Sequence, residues 1–109
     1  MATFTNGMRR ALREMAVAES EDRFEDAEIV CDGGECWLGE RQVARRTVRG
    51  LLNLLAIKED GYGGGAEHFC LQDIGRALLR RPALADEVEY AVLAGRRFMV
   101  DKNHQLQYL

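Results

Sequence analysis

A chain of 109 residues has room for one domain, residues 1–109, and at that size folding buries roughly two-thirds of the surface the unfolded chain exposes. Hydrophobic residues at 47% and charged residues at 30% exclude a disordered polymer, and no run approaches the roughly 20 apolar residues of a membrane-spanning helix. The net charge of −3 excludes a generic nucleic-acid coat protein, because unspecific affinity for phosphate needs an excess of Lys and Arg.

The segment from Met1 to Arg10 lacks the apolar stretch of a signal peptide, which predicts a cytoplasmic chain without a membrane partner. Asn6 can cap a first helix, in which Met8, Leu12 and Met15 recur at i, i+4 and i+7. That helix should end in the acidic run Glu19 to Glu28, where Phe24 is the expected core anchor. Ile29 to Cys31 and Cys36 to Leu38 then read as two strands of a hairpin, because Asp32-Gly33-Gly34 supplies the positive φ of a tight turn. Three cysteines, Cys31, Cys36 and Cys70, are an odd number in a chain without an export signal, so reduced thiols are expected, with a Cys31–Cys36 bridge across the hairpin as the alternative that a cytoplasmic setting disfavours.

From Arg41 to Leu55, Ala44, Val48, Leu51, Leu52 and Leu55 fall on one helical stripe. At about 100° per residue Arg45, Arg46, Arg49 and Asn53 project from the other side, joined by Gln42 if the helix starts early enough. Ile57 opens a short strand, Asp60 to Gly65 forms a glycine-rich loop, and Phe69 and Leu71 alternate along a returning strand. Gln72 or Asp73 starts a helix with Ile74, Ala77 and Leu78 inward and Arg76, Arg80 and Arg81 outward, until Pro82 ends it. Leu84, Val88, Ala91 and Val92 mark a last helix that stops at Gly95. Phe98 to Tyr108 alternate as a terminal hairpin, so residues 83–109 form a C-terminal helix and hairpin.

The stretch Arg46-Thr47-Val48-Arg49-Gly50-Leu51-Leu52-Asn53-Leu54-Leu55-Ala56-Ile57 resembles the recognition helix and first wing strand of the winged-helix-turn-helix class. Phe69-Cys70-Leu71-Gln72-Asp73-Ile74-Gly75-Arg76 is similar to the aromatic-x-Leu-Thr-x-x-Gly-Arg segment that closes the wing, with Gln72 standing for Thr. The resemblance covers roughly residues 41–81 and implies an α+β, winged-helix-like domain that binds double-stranded DNA and regulates transcription. Two departures stand out. Residues 28–43 read as β where the class has a short helix, and the wing carries Lys58 against Glu59, Asp60 and Glu67.

In a DNA-binding reading Arg45, Arg46 and Arg49 contact phosphates or guanine edges, Gln42 and Asn53 read adenine, and Lys58 and Tyr62 on the wing touch the partner. A homodimer, formed through Leu84 to Val92 or the terminal hairpin, would present two basic helices to related half-sites. The alternative is a protein-binding module, such as a small inhibitor of host or defence machinery carried by a phage or mobile element, that offers the acidic run, Tyr62 and the basic face to a protein.

No enzyme is expected: His68 and His104 have no recognisable nucleophile beside them, and no Lys-Ser/Thr pair follows the glycine run as a phosphate-binding loop requires. No cofactor is expected either. Cys31, Cys36, His68 and Cys70 are of zinc-ligand type, but without Cys-x-x-Cys or a spaced His pair no metal is expected.

Overall fold

The computed structural model describes residues 4–109, the side chains of Tyr62 and Gly63 excepted. Its first element is helix α1, Asn6–Ser20, whose buried stripe is Met8, Ala11, Leu12, Met15 and Ala18. The cap is Thr5 rather than Asn6: the Thr5 side chain accepts the Met8 N–H at 3.1 Å, satisfying a donor with no partner inside the helix. After α1 comes a 3-10 turn, Phe24–Ala27. Here Ala27 is the buried residue, and Phe24 is 62% exposed, contrary to the anchoring role expected of it. A turn of four residues presents one side to the core, and the smaller side chain takes it.

Three short strands follow, β1 (Ile29–Asp32), β2 (Glu35–Leu38) and β3 (Arg41–Val43), then helix α2 (Arg45–Asn53). The wing is β4 (Ile57–Gly63) with β5 (Ala66–Leu71), and helices α3 (Asp73–Arg80) and α4 (Leu84–Leu93) come next. A terminal hairpin of β6 (Phe98–Val100) and β7 (Leu106–Tyr108) makes a separate two-stranded sheet. The main sheet is antiparallel in the order β3-β2-β1-β5-β4, so β1 joins the first hairpin to the wing. This is an α+β, winged-helix-like arrangement in which a β-hairpin and a third strand occupy the stretch before α2.

The pleat sorts the side chains. Ile29 lies opposite both Leu38 and Phe69, Cys36 opposite Val43, and Ile57 opposite Leu71. All seven are buried and pack with α1, α2, α3 and α4 in one core. The opposite face carries the row Gln42, Trp37, Val30 and His68 across four strands, and Trp37 is 40% exposed. One face is thus core and the other lies away from the helices.

Two of the main sheet's three tight turns are glycine pairs with positive φ, Gly33 and Gly34 at 60° and 91° and Gly64 and Gly65 at 61° and 84°, and in the third, between β2 and β3, Gly39 has a φ of 61°. The wing loop is accordingly shorter than the glycine run suggests. Strand β4 continues to Gly63, with one extra residue accommodated as a bulge between Glu59 and Tyr62.

Helices α1, α2 and α4 end alike, on a residue in left-handed conformation: Asp22, Leu55 and Gly95. In each the next N–H reaches back to a carbonyl five residues earlier, Arg23 to Ala18, Ala56 to Leu51 and Arg96 to Ala91. This ending corrects two expectations for α2. The helix spans Arg45–Asn53, not Arg41 to Leu55, and the turn brings Leu54 into the core while Leu55 remains 40% exposed. Ala44, expected on the buried stripe, is the exposed N-cap. In α4 the buried stripe is Leu84, Ala85, Val88 and Ala91, with Val92 outside it at 44% exposure.

Within α3, Gly75 is buried because nothing larger fits. A Cβ built there would lie 2.5 Å from the Ala56 carbonyl oxygen and 2.7 Å from Leu71 Cδ1. Close approach between α3 and the chain leaving α2 fixes the wing to the helices, and the Gln72 N–H donates to Ala56 O at 2.9 Å beside it. Gln72 itself makes no side-chain cap.

No helix among the described residues is long and apolar enough to cross a membrane.

Candidate functional site

Helix α2 is strongly amphipathic. Val48 and Leu51 face the core, and Arg45, Arg46, Arg49 and Asn53 are exposed on the other side. Among the described residues none of these three arginines has a carboxylate partner or a side-chain hydrogen bond. Three exposed guanidinium groups without an ion pair make this face locally positive.

Several other arginines differ, although Arg9, Arg13, Arg80 and Arg97 are, like those of α2, exposed without a carboxylate partner among the described residues. Arg41 is held by both oxygens of Glu14 at 3.0–3.1 Å, and Glu14 also takes Arg10 at 2.9 Å. Arg23 bridges Glu21 and Asp26, and these hydrogen bonds, that to Glu21 first, raise its pKa further above the usual arginine value. Arg76 grips Glu19 through two nitrogens at 2.7–3.1 Å and reaches Asp73 at 2.9 Å. The Glu19 hydrogen bond is the main cause of its raised pKa. Arg81 pairs with Glu87 and donates to His104 O at 3.3 Å. Arg76 and Arg81, expected to be available on the surface, are therefore engaged by the chain's own groups, and of that trio Arg80 alone is exposed without such a partner among the described residues.

The same pairs account for the acidic run. Glu19 is taken by Arg76, Glu21 and Asp26 by Arg23, and Glu28 by His68 Nδ1 at 3.0 Å. Much of the run that sequence offers as a docking strip is turned back onto the chain.

Gln42 does not join the α2 face. Because α2 begins at Arg45, Gln42 lies in β3 opposite Trp37, on the sheet face away from the helices. Lys58 is exposed on β4 opposite Cys70, on that same sheet face. The Tyr62 side chain, a proposed partner contact, lies outside the described residues.

Cys31 and Cys36 form a disulfide, where reduced thiols were expected. The reason is the register. A two-residue turn pairs Asp32 with Glu35 and places Cys31 directly opposite Cys36, with their Cα atoms 4.0 Å apart. His68 and Cys70 lie on the other face of the sheet, and among the described residues no three His, Cys, Asp or Glu side chains are grouped to hold a metal. Burial raises the pKa of the free Cys70 thiol, with the nearby Asp60 charge adding to it.

The disulfide opens onto a cleft of about 270 Å³ between the Gly33–Gly34 turn, α2 and the wing. Its lining combines Arg45 and Arg49 with Asp32 and Glu67 and the apolar Val48, Leu52 and Phe69. A Cβ on Gly34 would lie 3.8 Å from Arg45 Nη1, so the turn runs directly beneath that guanidinium. Sequence gave no hint of this contact, since residues 34 and 45 are related only through the β2–β3 excursion.

A larger cleft of about 560 Å³ lies between α1 and the turn after β2, and its Arg23 and Arg41 are among the paired arginines. Comparison of the chain with family models, with curated proteins and with solved structures yields no match. The arrangement of α2, its cleft and the wing is therefore read on its own chemistry.

Proposed function

We propose that the protein is a DNA-binding regulator of transcription that acts by occupying its site, without catalysis or a cofactor, in the cytoplasm. The observation that carries this reading is the division among the arginines. Arg23, Arg41, Arg76 and Arg81 are tied to the chain's own carboxylates, while Arg45, Arg46 and Arg49 stand together, exposed and without a partner among the described residues.

A nine-residue helix is about 13 Å long, and a major groove about 12 Å wide admits it. Arg45, Arg46 and Arg49 then meet phosphates or the acceptor edge of guanine, and Asn53 offers adenine a paired donor and acceptor. Gln42 is left out of this set by its place in β3. The wing, with Lys58 beside Glu59 and Asp60, adds little positive charge, so affinity rests on α2.

Leu84 and Val88 are fully buried in the chain's own core and are not available for pairing. A homodimer in this reading uses Tyr90, Val92 and Leu93 of α4, which are 64%, 44% and 80% exposed.

The test is binding of the purified protein to mixed-sequence duplex DNA at low and moderate salt, with solution mass measured in the same buffers. Salt-sensitive binding by a dimer is the expected result. Absence of binding at low salt overturns the reading in favour of a protein-binding module, including the small-inhibitor form. The exposed Phe24 and Trp37 favour that second reading, since each offers an aromatic anchor away from α2.

A further inference from the structure

We infer that the Cys31–Cys36 disulfide is a thiol-exchange site: a small soluble thiol entering the cleft beside α2 opens the bond and releases the glycine turn from beneath Arg45. The exchange rests on the cleft alone; its consequence for nucleic acid rests on the reading of α2 as a DNA-binding helix.

Access comes first. Both cysteines line the cleft, Cys31 is half-buried and Cys36 is only 4% exposed. Attack therefore falls on Cys31 Sγ, which a small molecule reaches without unfolding the core. Arg45 and Arg49 line the cleft together with Asp32 and Glu67, so it has no net negative charge to repel an anionic thiol such as glutathione. The two guanidinium groups also put positive charge on the wall of the space where a thiolate is released.

The chemistry balances. An incoming thiolate forms a bond to Cys31 Sγ as the Cys31–Cys36 bond breaks, and the electron pair leaves on Cys36 as a thiolate. A second thiolate then attacks the sulfur of the first small thiol and displaces Cys31. Two small thiols are oxidised to their disulfide, the protein disulfide is reduced to two thiols, and the protons shed by the reagents end on Cys31 and Cys36.

The effect stays local. The bond closes a sequence separation of only 5 residues, so it constrains the unfolded chain less than a long crosslink does. Strand β1 also keeps its ladder to β5, and Cys36 its pairing with Val43, without the disulfide. What loosens is the Gly33–Gly34 turn, which has no side chains to hold it and which lies against Arg45.

The experiment uses the full chain carrying Cys70→Ser, exposed to reduced glutathione under native conditions. Mass spectrometry follows the mixed disulfide and the free thiols, and hydrogen exchange is recorded for the oxidised and reduced forms. Reduction is expected at least ten-fold faster than global unfolding, with exchange at residues 29–46 rising ten-fold or more and that of α3 unchanged. Reduction no faster than unfolding, or identical exchange in both forms at residues 29–46, overturns the inference. Wild-type protein with Cys70 blocked by alkylation provides the same readouts should the serine variant not fold.

Duplex DNA affinity of the two forms separates the readings. A loss of about three-fold or more on reduction supports the coupling to Arg45, and equal measurable affinities overturn it. No DNA binding in either form removes the nucleic-acid reading while the exchange result is judged on its own.

Discussion

Helices α2 and α3 pack into the same core and each carries arginines, yet they treat them in opposite ways. On α3, Arg76 lies across from α1 and is clasped by Glu19, with Asp73 one turn earlier on its own helix. On α2 the neighbours are a glycine turn and a cleft that Asp32 and Glu67 also line, and Arg45, Arg46 and Arg49 form no ion pair or side-chain hydrogen bond among the described residues. Two runs of similar composition thus do different work. The first closes the fold, and the second leaves its three arginines without an ion pair among the described residues. Whether an arginine stabilises or recognises is decided by what packs opposite its helix, which local composition does not specify.

The largest expected effect is on the α2 side. Replacing Arg45, Arg46 and Arg49 together by Ala should weaken duplex DNA binding by at least about 100-fold at low salt. It should also flatten the slope of log K against log salt by about 2 to 3, as three lost phosphate contacts require. Because these side chains are exposed, the thermal midpoint should not change, and a fall in it would blur the contrast between the two helices.

On the α3 side the effect should appear in stability. Gly75→Ala drives a methyl group into the Ala56 carbonyl and Leu71, and should cost about 3 kcal/mol in urea unfolding. Arg76→Ala leaves Glu19 without its partner. At 41% and 36% side-chain exposure the pair is screened, so the loss should be about 1 kcal/mol or less. DNA affinity at temperatures where the variant is folded should not move. A drop in affinity for folded Arg76→Ala would extend the recognition face to α3 and end the distinction drawn here.

The smallest effect concerns the terminal hairpin, whose His104 carbonyl accepts from Arg81. Asp101 accepts the backbone N–H of Gln105 and of Asn103 and the side-chain amide of Gln107. These bonds, the Gln105 one first, hold its carboxyl below the usual aspartate range. A depressed carboxyl stabilises the fold above its ordinary value of about 3.9 and loses that contribution as pH falls through the depressed value. Hydrogen exchange of residues 98–108 should therefore rise first in that acid window, before α2 or α3 responds.

Much of the architecture was legible in the residues themselves. The helical stripe of α1, the Asp32-Gly33-Gly34 turn, the wing strands, Pro82 and Gly95 mark elements that the structure contains. The failures have physical causes. Leu55 adopts a left-handed backbone that a branched side chain rarely takes, so nothing in its identity announced the end of α2 or the burial of Leu54. Gln42 was placed with the arginines because three residues of strand carry too little pattern to be told from an early helical turn. Phe24 lost the core to Ala27. For the candidate site, the exposure of Arg45, Arg46, Arg49 and Asn53 followed from helical period alone. The pairing of Arg76 and Arg81, and the cleft under Arg45, depend on contacts between distant segments that periodicity does not encode.

Trp37 is the chain's single tryptophan, and it follows Cys36 in β2 but points to the opposite sheet face, 40% exposed. Its indole is thus a built-in fluorophore that looks away from α2 while sharing a strand with the disulfide. Emission from it should stay constant as a ligand docks on the basic helix and change when the first hairpin loosens. The molecule carries its own optical channel for one event and is blind in that channel to the other.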